Sequence, residues 1–75
     1  MNEFSVFWFD PDGNCHRELS YVDAKTAVDF AINFPSRPAG LMGIIQRVMI
    51  TDGGDFCVYE WRHGVGQVYP ERLEQ

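Results

Sequence analysis

An α+β fold follows from three features of this sequence. It has the order β-β-α-β-β-β, with one helix packed on a four- or five-stranded, mostly antiparallel sheet. Two stretches rich in aromatic and β-branched residues, Phe4 to Leu19 and Met42 to Tyr69, are each interrupted by Gly-bearing turns. Between them a single run, Tyr21 to Phe34, carries apolar residues at helical rather than alternating spacing. Proline then punctuates the exit at Pro35.

The first strand is "FSVFWFD", which runs into Asp10-Pro11-Asp12-Gly13. Proline presets the second turn position and glycine tolerates the left-handed conformation after it, so a tight hairpin is expected, returning over Asn14 to Leu19. With Asp10 facing Asn14, Phe9 meets Cys15, Trp8 meets His16, Phe7 meets Arg17, Val6 meets Glu18, Ser5 meets Leu19 and Phe4 meets Ser20.

Ser20 and Asp23 have the spacing of a capping box at a helix start. The run "YVDAKTAVDFAINF" then places Ala24, Ala27, Val28 and Ala31 on one stripe, widened by Phe30 and Phe34, with Lys25, Thr26, Asp29 and Asn33 opposite. Its alanines allow close approach to a sheet. "PSRPAG" reads as a turn-rich connection.

A third strand is expected from Met42 to Thr51 and a fourth from Phe56 to Arg62. With Gly53-Gly54 as a two-residue turn, Ile50 faces Cys57, Val48 faces Tyr59 and Gln46 faces Trp61, the better candidates for the core. On the other face Met49 meets Val58, Arg47 meets Glu60 and Ile45 meets Arg62. A last short strand, Val65 to Tyr69, sets Trp61 opposite Gly66, and residues 70–75 read as a loosely held tail of a single domain, 1–75.

Neither face of these hairpins is cleanly polar, and one helix of about fourteen residues shelters only one side. The apolar surplus predicts an interface. Phe4, Val6, Trp8, Ile45, Met49, Phe56, Val58 and Tyr69 form the expected field, with Arg47 and Glu60 at its rim. The expected function is a non-catalytic protein-interaction or self-associating structural module: a homodimer, or a chain that joins an unidentified protein partner. The alternative is a small-molecule-binding domain or minor enzyme whose aromatic pocket holds Tyr59, Trp61 and His63.

Charge narrows the partners. The formal net charge is −5 and no basic run occurs, so the long-range field repels nucleic acid and anionic membranes. The N-terminus has no positive segment, and Phe4 to Phe9 is too short for a signal peptide or a membrane span. With only Cys15 and Cys57 in separate strands, a reduced, cytoplasmic protein is expected.

Candidate chemistry is sparse. Cys15, His16, Cys57 and His63 are zinc-type ligands but lack C-x-x-C or H-x-x-x-H spacing, so no metal and no cofactor is expected. "DPDGN" lacks the glycine and glutamate positions of an EF-hand loop. "GLMG" carries none of the charge that a phosphate-clamping loop uses, and no catalytic residues are assigned.

Overall fold

A computed structural model describes residues 2–38 and 42–70. The elements are β1 (Phe4–Phe9), β2 (Cys15–Val22), α1 (Ala24–Asn33), a 3-10 turn (Phe34–Ser36), β3 (Arg47–Thr51), β4 (Cys57–Arg62) and β5 (Gly66–Tyr69). The five strands form one antiparallel sheet in the order β2-β1-β3-β4-β5 with the helix packed on it, the α+β architecture expected. Tail residues 71–75 and connection residues 39–41 lie outside the described residues.

β1 is an interior strand, pairing with β2 on one side and β3 on the other. Because both neighbours are antiparallel to it, β2 and β3 point the same way. No tight turn can join strands so related, and the chain uses α1 to return.

The first hairpin forms as its residues dictate. The Asp10 carboxylate Oδ1 accepts the backbone N–H groups of Asp12 (3.0 Å) and Asn14 (2.9 Å), and Gly13 takes φ +86°. The pairs Phe9–Cys15, Trp8–His16 and Phe7–Arg17 follow as expected. Farther on, a bulge replaces the expected partners of Val6 and Phe4 with Leu19 and Val22. Tyr21 adopts φ +55° within it, and its N–H donates to Ser5 Oγ at 3.4 Å.

This bulge corrects the expected helix start. Ser20 to Val22 stay in the strand, and the cap is Asp23, whose carboxylate accepts the N–H of Thr26 at 3.2 Å. The helix is ten residues rather than about fourteen.

The second hairpin is corrected too. Asp52 organises a longer loop: its Oδ1 accepts the N–H groups of Gly54 (2.9 Å) and Phe56 (3.1 Å), while its own N–H donates to the Phe56 carbonyl at 3.0 Å. Val58 is the extra residue of a bulge, so Ile50 pairs with Tyr59, Val48 with Trp61, Met49 with Glu60, and Arg47 with Arg62. The shift from the expected partners is two residues, an even number, and it therefore keeps Val48, Ile50, Tyr59 and Trp61 on their expected common face. β3 starts at Arg47 rather than Met42, because the chain bends at Gly43, which has φ +85° and whose carbonyl accepts the Gln46 side-chain amide. At β5, Trp61 pairs with Gln67 instead of Gly66.

The core lies between α1 and the sheet: Val6, Val48 and Ile50 meet Ala27, Ala31 and Ile45. This overturns the expectation that Val6, Trp8 and Ile45 face an interface. Val6 and Ile45 are 0% and 1% exposed, and Phe4 and Trp8 pack against the same cluster. The cause is register: Val6 pairs with Ile50 and Trp8 with Val48, which puts the alternate residues of β1 on the helix side.

The alanine seam sets helix height. Ala31→Leu adds volume where no space exists and is expected to cost about 1–3 kcal/mol. Urea denaturation is the check: the midpoint falls while the slope is unchanged.

Candidate functional site

The helix covers only part of its side of the sheet. It packs on β1, β2 and β3. Along one flank Phe30 stacks on Phe34 at 4.9 Å, Phe34 meets the Trp8 ring edge-on at 5.9 Å, and Trp8 stacks on His16 at 4.3 Å. The Trp8 indole N–H donates to Glu18 at 2.9 Å. That flank is closed by aromatic packing.

The other flank is open. Val28 and Ile32, one helical turn apart, are 40% and 57% exposed. Across from them, Val58 and Tyr59 line the far wall of a groove of about 310 Å³, with Phe4 and Ile50 also lining it. Because of the bulge, Val58 and Tyr59 both line this groove, a departure from strand alternation. Among the described residues, no charged side chain lines the groove. Burial pushes the Tyr59 hydroxyl pKa up.

The opposite face has no helix over it, yet its aromatics are not bare. The Arg17 guanidinium lies over the Phe7 ring at 4.9 Å and that of Arg47 over Phe9 at 5.2 Å. Arg47 and Arg62 sit directly opposite each other across β3 and β4, a repulsive arrangement resolved by Glu60. Both Nε–H groups donate to the same Glu60 oxygen, at 2.6 Å and 2.7 Å. Burial of Glu60 raises its carboxyl pKa, but the hydrogen bonds and charges of the two arginines outweigh burial and leave it lowered. Beside them a depression of about 470 Å³ opens between this pair and the β1–β2 turn.

Of the expected interface residues, Arg47, Met49, Glu60 and Tyr69 share this far face by register. Val58 lies on the helix side, and Phe56 stands 72% exposed at the hairpin tip. Of the expected aromatic pocket, Trp61 and His63 meet edge-on at 6.3 Å, with the His63 imidazole against Gly43, while Tyr59 packs on the same core cluster as Trp61 and also lines the groove. Cys57 begins β4 and His63 follows its last residue, Arg62, so about 20 Å of extended chain separates them, too far for a nucleophile and its base. Among the described residues, no three His, Cys, Asp or Glu side chains converge on a metal position. Nor is any described helix long and apolar enough to cross a membrane.

Sequence reasoning missed Ile32 and the arginine-covered pair Phe7 and Phe9. Ile32 was legible in principle, since with Val28 it extends the apolar arc of α1 beyond what the alanine seam needs. Comparisons with protein-family models, with curated proteins and with solved structures found no match.

Glu60→Gln leaves two opposed guanidiniums without a counter-charge and is expected to cost about 1.5–3 kcal/mol at neutral pH. The lowered pKa gives the pH dependence its sign. Glu60 contributes stability above its unfolded value, near 4.5, and that contribution is lost as pH falls through the lower folded value. Denaturation of both forms between pH 7 and pH 2.5 should therefore show the difference narrowing only below about pH 4.5.

Proposed function

We propose that this chain is a non-catalytic, self-associating structural module that joins a second copy of itself through the open apolar groove between α1 and β4. The observation that carries this reading is the groove's lining: exposed Val28, Ile32 and Val58, with no charged side chain among the described residues that line it, in a chain of formal net charge −5. An acidic chain that repels its own copy at long range needs an uncharged patch for contact.

The patch also has the shape that a two-fold contact requires. Isologous packing sets the same surface against itself, so one patch must carry both a projection and a recess. Here the Val28–Ile32 ridge stands beside the groove, and a two-fold axis seats each ridge in the other copy's recess. Size argues for modest affinity. The molecule measures 34 × 33 × 19 Å, so a broad face projects only about 1,000 Å², little more than the ~800 Å² per partner of a standard interface. A groove covering part of that face supports a dissociation constant of about 10–100 μM.

A cytoplasmic setting belongs to this reading. Cys15 and Cys57 are free thiols, which suits a reducing compartment.

Sedimentation velocity from 5 to 500 μM tests the proposal. The sedimenting species should move from 8.6 kDa toward twice that mass as concentration rises. Ile32→Glu places a charge in the contact and should hold the chain monomeric throughout, while its own stability changes by no more than about 0.5 kcal/mol. A wild-type chain that stays monomeric at 500 μM refutes self-association.

A further inference from the structure

The face away from the groove carries a second, chemically different feature. Arg47 and Arg62 present only Nε to Glu60, and among the described residues neither has another carboxylate within ion-pair distance. Their terminal amino groups are thus uncommitted in that network, while each arginine is held by its Nε contact to Glu60 and Arg47 also lies over the Phe9 ring. Their side chains are 36% and 54% exposed, so the forks are accessible. The adjoining depression is lined by both arginines, Gln46, and an apolar wall of Phe9 and Pro11.

We propose that Arg47 and Arg62 form a binding site for a carboxylate carried on an apolar or aromatic body, the carboxylate meeting the two guanidinium forks and the body resting on Phe9 and Pro11. A fixed, exposed guanidinium edge matches a planar carboxylate through two parallel hydrogen bonds. Charge selects the valence. At the forks two arginines against Glu60 leave one positive charge, and Asp10 in the same lining offsets it, so the site suits a monoanion held by the guanidinium hydrogen bonds rather than a dianion held by net charge. Asp10 also lines the depression, but its Oδ1 accepts backbone N–H groups of its own turn and its Oδ2 accepts the His16 Nε2–H at 3.0 Å. Its charge, with that of Glu60, works against a phosphate dianion. The site lies on the opposite side of the sheet from the Val28–Ile32 groove, so its occupancy does not depend on self-association.

Benzoate, acetate and inorganic phosphate, titrated to 50 mM at pH 7 and constant ionic strength into uniformly ¹⁵N-labelled protein, test the proposal by amide shifts. Benzoate should give saturable shifts centred on Phe9, Gln46, Arg47 and Arg62, with a dissociation constant of about 1–10 mM. Acetate should bind at least 3-fold more weakly, lacking the body, and phosphate weaker still. Arg62→Gln should weaken benzoate at least 5-fold. Arg62→Lys, which keeps charge and fold but loses the fork, should weaken it by 2-fold or more. Non-saturating shifts, shifts centred elsewhere, phosphate binding tighter than benzoate, or unchanged affinity in the lysine variant would each overturn the assignment.

Discussion

Ala27 and Ala31 are both fully buried where α1 crosses β1 and β3, and small residues there let the helix axis sit close above Val6, Val48 and Ile50. A helix held that low touches few strands, because its own width, about 10 Å, spans roughly two strand spacings of about 4.8 Å. The β2 side is reached by long aromatics, Phe30 and Phe34 toward Trp8. On the β4 side only Val28 and Ile32 are available, and they are too short to close the gap. The groove is thus a geometric consequence of the alanine seam.

The two sides of the sheet solve the same problem differently. Beneath the helix, apolar residues are enclosed except at the groove. On the far face, the guanidiniums of Arg17 and Arg47 lie over the rings of Phe7 and Phe9, so apolar area is covered without a second layer. The positive charges of Arg47 and Arg62 would collide at the β3–β4 ladder if only those two met there. Glu60, 8% exposed, sits between them and turns a repulsion into a fixed ion triad. A surplus of apolar residues on both faces therefore need not mean that both faces are interfaces.

Much of the fold was legible because it depends on local chemistry. Asp10, Pro11 and Gly13 specify their turn, and the partners of Phe7, Trp8 and Phe9 follow from it. The spacing of Ala24, Ala27 and Ala31 shows the helix and its buried side. What was not legible depends on bulges. Tyr21 in a left-handed conformation and Val58 as an unpaired insertion change register after the strand has begun, and nothing in the identity of either residue announces it. The candidate surface suffered most. Val6, Trp8 and Ile45 were expected outside because alternation fixes which residues share a face but not which face meets the helix. That choice is made by β1 lying between β2 and β3, a long-range pairing with no local signature.

The central claim, that the flank of α1 left open by its alanine seam is where a second copy sits, is tested most directly by isotope-filtered NOE spectroscopy. A sample at about 1 mM would mix ¹³C-labelled and unlabelled chains, far enough above a dissociation constant of about 10–100 μM for the dimer to dominate. The account predicts intermolecular contacts from the Val28 and Ile32 methyl groups to Val58 and Tyr59 of the other copy. Intermolecular contacts confined to the far face, at Met49 or Tyr69, or none at all, would contradict it.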